Sequence, residues 1–243
     1  MAGTLFVPAK SVRNTIPTNT RRLSHGRYEI CKHQCINSFP LPKMRKMLQN
    51  LKDSLMLESI DIFYLTKSLR RHDSSITCTD DMLERYTHVA AIERGFPIYQ
   101  ANTVGVDAAC VFLENDRCRV YDARPLVCRM FPFGIAPGEK GRDFRFYLVM
   151  DQSHHFGAGQ VIVKDWVNDN FSREAKEYYR EETALISDIG PKLARLSVTE
   201  YNRIAFPLLN ALYSDYDLDA PFLVQYRRNC DTIRRLFDRS LNE

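Results

Sequence analysis

No stretch of this 243-residue chain is apolar for long enough to cross a membrane as a helix, and no segment has the apolar core of a secretory signal. Glycine is sparse, and no glycine fingerprint for a dinucleotide or nucleotide phosphate occurs. The C-x3-C-x2-C spacing of radical-SAM enzymes is missing too, because after Cys35 the next cysteine is Cys78. Residues 1–28 contain no acid at all, although Lys10, Arg13, Arg21, Arg22 and Arg27 all fall there. Those five charges exceed the net charge of +4, so the rest of the chain is close to neutral. A nucleic-acid-binding body is therefore disfavoured. The seven cysteines are odd in number and lack a secretory context, which argues against a disulfide-stapled extracellular scaffold. Reduced thiols in a cytoplasmic setting are the expectation, or in an organelle if the basic tail is a transit peptide.

With 44% hydrophobic and 26% charged residues, the chain has enough apolar material for a substantial core without help from metal or disulfides. We expect three parts: a basic, flexible tail over 1–27, a cysteine-bearing domain over 28–180, and a helical extension over 181–243. Apolar residues at Met44, Met47, Leu48, Leu51 and Leu55 have helical spacing. A second helix is expected through 59–71, with Ser59 as cap and Ile60, Phe63 and Leu69 inward. A third begins at a Thr79 cap and continues to Gly95. Residues 98–113 are more β-like. Further on, Ser197-Val-Thr-Glu200 is a capping box, and Pro221 suits the first turn of a last helix carrying Phe222, Tyr226, Ile233 and Phe237. The fold class expected is α+β, predominantly α-helical, with a small β-hairpin or knuckle holding the cysteines.

That knuckle is the segment CVFLENDRCRVYDARPLVCRMFPF, residues 110–133, which places Cys110, Cys118 and Cys128 close together among arginines. Residues 111–113 and 118–121 can pair around the polar turn 114–117. Asp122 can then cap a brief helix with Pro125 in its first turn and Cys128 near its middle, ended by Pro132. Such an arrangement can converge three thiolates, yet a closed tetrahedral thiolate site needs a fourth ligand. Candidates are Cys31 and Cys35, and the pair His154 and His155 near Gly157 and Gly159. The competing reading is that cysteines are small core residues, and it is preferred for Cys78 and Cys230, which sit in helical contexts. Residue types and spacing leave the two readings of the trio balanced.

The segment CRVYDARPLVCRMFP resembles the YkgJ-type cysteine-cluster family, described as a zinc- or iron-chelating domain, at Cys118, Val120, Tyr121, Arg124, Pro125, Cys128, Arg129, Phe131 and Pro132. Upstream, Asp61 stands where the family has an aspartate. Downstream, Gly157, Gly159 and Trp166 match a glycine-rich turn and a tryptophan-bearing segment. The resemblance spans roughly residues 28–180. It implies metal ligation by Cys110, Cys118 and Cys128, then by Cys31 and Cys35, then by His155 or His154, with zinc or an iron–sulfur cluster as the group held. It also implies that Arg124 and Arg129 turn inward to offset thiolate charge and donate to sulfur. The chain departs from the family in having only CKHQC at its N-terminal cluster, in Val111 after Cys110, and in histidines where a cysteine is common. More distantly, the segment is similar to flagellin lysine N-methylases. Three readings are therefore carried forward: a metal-binding protein of unassigned activity, an iron–sulfur-dependent protein-modifying enzyme, and a zinc-stapled module that binds a protein partner.

Overall fold

The computed structural model describes residues 20–22, 28–30, 55–90, 95–138, 143–149 and 162–240. Among these, helices dominate and the strands are short and antiparallel, so the α+β, mainly helical class is observed. The expected helix over 44–55 lies outside the described residues except for Leu55, which is buried and not helical.

Helix α1 (Ser59–Arg70) forms where apolar residues recur at helical spacing, and Ile60, Phe63 and Leu69 are buried as expected. Its cap is Glu58 rather than Ser59, because the Asp61 carboxylate reaches back to accept the Glu58 N–H at 3.2 Å. Helix α2 (Thr79–Tyr86) is likewise capped one residue earlier than expected, by Cys78. There the Asp81 carboxylate accepts the Thr77 N–H at 2.6 Å and the Cys78 N–H at 3.1 Å. This helix stops well short of Gly95. From Thr87 the chain becomes a strand that pairs along residues 98–101, a place suited to β-branched Thr87 and Val89. The Tyr86 carbonyl leaves the helix to accept the Asn102 N–H at 2.8 Å.

In chain order the strands are β1 (Thr20–Arg22), β2 (Tyr28–Ile30), β3 (Met56–Leu57), β4 (Thr87–Ala90), β5 (Ile98–Ala101), β6 (Thr103–Val104), β7 (Ala109–Cys110), β8 (Leu113–Glu114), β9 (Arg117–Cys118), β10 (Phe133–Pro137) and β11 (Phe144–Leu148). One sheet has the order β1-β2-β11-β10, a second β3-β5-β4, and β6-β7 and β8-β9 are isolated ladders. In the first sheet Gly134 lies opposite Tyr147, whose ring occupies the space a side chain at 134 would need.

After the short helix α3 (Leu126–Met130), the chain is helical in α4 (Val163–Asn170), α5 (Arg173–Leu193), α6 (Val198–Leu209) and α7 (Phe222–Ser240). The Ser197 capping box forms as expected, with Ser197 N–H to Glu200 Oε2 at 2.7 Å and Glu200 N–H to Ser197 Oγ at 3.3 Å. Phe222, Tyr226, Ile233 and Phe237 of α7 are all buried. They extend an aromatic interior in which Phe222 meets Phe63 of α1 at 5.3 Å and Tyr178 of α5 at 5.6 Å. α1 and the C-terminal helices thus share one core.

Candidate metal centre

Cys110 and Cys118 have the same local setting. Each ends a two-residue strand and is followed by a tight turn, and in each turn the amide two residues on donates toward the sulfur. The donors are Phe112 N–H for Cys110 and Val120 N–H for Cys118, and both Phe112 and Val120 are buried as anchors of their turns. An N–H aimed at sulfur favours the thiolate over the thiol. Between the two turns lies the expected hairpin, tighter than expected. Its turn is only Asn115-Asp116, both in the left-handed region (φ 48° and 61°), so Leu113 pairs with Cys118 and Glu114 with Arg117. Asn and Asp tolerate that conformation better than other non-glycine residues.

Cys128 arrives on α3, a single turn between Pro125 and Pro132. Asp122, the expected cap, instead sits in a 3-10 turn (Tyr121–Ala123). The Leu126 N–H is taken by Asp61 of α1, whose Oδ1 accepts it at 2.8 Å from 65 residues away in sequence. At the other end of α3, Trp166 Nε1–H donates to the Met130 carbonyl at 3.1 Å. Burial pushes the Asp61 carboxyl up to about 6, while the Leu126 and Glu58 amides and the Arg129 charge pull it down.

The three thiols are free and lie within electrostatic reach of one another. Burial is the main cause raising all three, and Cys118 adds to the rise of Cys110. Cys128 is raised furthest, with Cys110, Asp61 and Cys118 adding to the effect of burial. Arg124 opposes this at both Cys118 and Cys128. Its guanidinium lies 3.8 Å over the Tyr121 ring and its Nε–H donates to the Tyr121 carbonyl at 3.1 Å. Arg129 acts elsewhere: its charge bears on Asp61 and Tyr64, and its buried Nε has no hydrogen-bond partner among the described residues. Arg117 and Arg119 are exposed, and Arg119 rests on Tyr86.

Behind Cys128 is a feature that sequence reasoning missed, a set of carboxyls between α1 and α5. Tyr179 donates to Glu58 Oε1 at 2.7 Å and Tyr178 to Glu182 Oε1 at 2.5 Å. Burial pushes Glu182 up to about 7, helped by Asp61, and it raises Glu58 in the same way. Apart from the Glu at i+3 or i+4 from a tyrosine, nothing in the sequence signals this assembly, because its parts are more than 100 residues apart.

Cys31, Cys35, His154 and His155 lie outside the described residues. Cys78 is exposed at the α2 cap and Cys230 is buried in α7. Among the described residues no group of three or more His, Cys, Asp or Glu side chains is arranged to hold a metal ion. The chemistry of the donors still fits one. One buried and two partly buried thiols, two of the three already receiving N–H donors, would be favoured as thiolates by a nearby cation, and a soft divalent metal would supply that charge.

Residues 62–153 match the model of the CxxCxxCC family, described as "Putative zinc- or iron-chelating domain". The matched segment is narrower than the span read from the motifs. It includes Cys110, Cys118 and Cys128 and excludes Cys31, Cys35, His154 and His155. The family supports metal binding in general. No curated protein and no solved structure matches the chain. Among the described residues, no helix is long and apolar enough to cross a membrane.

Proposed function

We propose that this protein binds zinc or an iron–sulfur cluster through Cys110, Cys118 and Cys128, with the remaining coordination supplied by His155 or His154 or by Cys31 and Cys35. The observation that carries the reading is the grouping of three free thiols inside the segment matched by a metal-chelating family, two of them cradled by amides. Arg124 offsets part of the charge that the thiolates would carry.

The described residues on either side of the histidine segment are both tied to the neighbourhood of α3. On one side Val149 N–H donates to the Pro132 carbonyl at 3.0 Å, and on the other Trp166 is bonded to Met130. Both ties are to α3 or the residues just after it.

The test is metal analysis by mass spectrometry of the full chain purified without oxygen, together with its visible spectrum. About one zinc per chain and no colour identifies a thiolate–zinc site. Iron with acid-labile sulfide and a chromophore that bleaches on reduction identifies a cluster. A chain that takes up neither metal, in anaerobic or zinc-supplemented preparations, refutes the proposal.

A further inference from the structure

Helix α3 has only five residues and is bounded by Pro125 and Pro132, so its own hydrogen bonds cannot fix its direction. Cys128 and Arg129 donate to the Pro125 carbonyl at 2.9 and 3.0 Å, and Phe131 N–H donates to the Val127 carbonyl at 3.2 Å. Its orientation is set from outside, by Asp61 at Leu126 and Trp166 at Met130. Asp61 is itself held, being 5% exposed, fixed on the first turn of α1 and bonded through its second oxygen to the Glu58 N–H. One carboxylate thus joins the start of the helix that carries Cys128 to the start of a core helix.

We propose that Asp61 is a positioning residue for the thiolate site: by holding the Leu126 N–H against α1, it fixes where the Cys128 sulfur stands relative to Cys110 and Cys118. The inference rests on the metal-binding reading above and adds to it a residue that lies just outside the segment matched to the family. Asp61 works through geometry, since its charge opposes formation of the Cys128 thiolate. Position and charge can therefore be separated by substitution.

Asp61→Asn removes the charge and keeps an oxygen for the Leu126 N–H, at the expense of the Glu58 contact. Asp61→Glu keeps the charge and displaces the oxygens by one methylene. The full-length variants are titrated with zinc against a chromophoric chelator and with cobalt as a spectroscopic substitute, with circular dichroism recording helix content. Asp61→Asn is expected to bind zinc within about 3-fold of the unsubstituted chain and to keep its thiolate-to-cobalt band. Asp61→Glu is expected to bind about 10- to 100-fold more weakly, with that band shifted or weakened at unchanged helix content. Unchanged affinity and spectrum in Asp61→Glu overturns the inference, as does an equal loss in both variants. If the unsubstituted chain binds no metal, the metal reading itself falls; if it binds and the variants do not differ, only the role of Asp61 falls.

Discussion

Glu182→Gln is the substitution whose effect the structure determines most fully. Glu182 accepts the Tyr178 hydroxyl at 2.5 Å, and burial with the Asp61 charge pushes its carboxyl from 4.5 up to about 7. A carboxyl raised on folding binds more protons in the native state than in the unfolded one. Its contribution to stability is therefore present in full below the unfolded value and is lost as pH rises toward the folded value. The window runs from 4.5 to about 7, which at 1.36 kcal/mol per pH unit is worth about 3 kcal/mol in all. Glu58 and Asp61 are also raised, so the native chain loses stability over this range with a contribution from each, and the three titrate as a set. Glutamine keeps an acceptor for Tyr178 and never has to bury a charge. Its advantage over glutamate should widen by about 2–3 kcal/mol between pH 5 and pH 8. In urea this is a midpoint difference of about 1 M, readable by circular dichroism. Working below pH 8 keeps the raised thiols neutral. A stability difference that stays constant across this range, or narrows, refutes the reasoning.

Other outcomes follow from single contacts. Cys128→Ser should abolish most metal uptake, whereas Cys230→Ser, at a buried α7 position where none of the three thiols bears on the sulfur, should leave metal content unchanged. Equal metal content in the two variants would remove the trio from the site. Ser197→Ala deletes one half of the α6 capping box and should cost about 1 kcal/mol in a denaturant melt. Phe222→Ala empties the ring position shared by Phe63, Tyr178, Tyr216 and Tyr226 and should cost about 3–5 kcal/mol. A loss below about 1 kcal/mol there would mean the aromatic interior is not packed as described.

Local sequence determined what local physics controls. Helical periodicity identified α1 and α7 and their buried residues, because burying one face is the main stabilisation a single helix obtains. The Ser197 box marked the start of α6, and the prolines at 125 and 132 the limits of α3, since each acts on its nearest backbone. The motif around Cys118 and Cys128 likewise located the segment that the family model matches. Where local preference was weak, neighbours decided. Residues 87–90 follow a good helix without a break, and they became a strand because residues 98–101 offered an antiparallel partner.

Only the tertiary structure decided which groups meet across long stretches of chain. Asp122 had the right spacing to cap the Cys128 helix, yet Asp61, 65 residues earlier, took the Leu126 N–H. Two arginines of one motif parted, Arg124 to the thiols and Arg129 to Asp61 and Tyr64. The carboxyls of Glu58 and Glu182 came together with Asp61 only because α5 packs against α1. Spacing along a chain constrains distance over a few residues and carries no direction beyond them. The grouping of three cysteines in one short segment was therefore written in the sequence, while the groups that surround them were settled by how the helices pack.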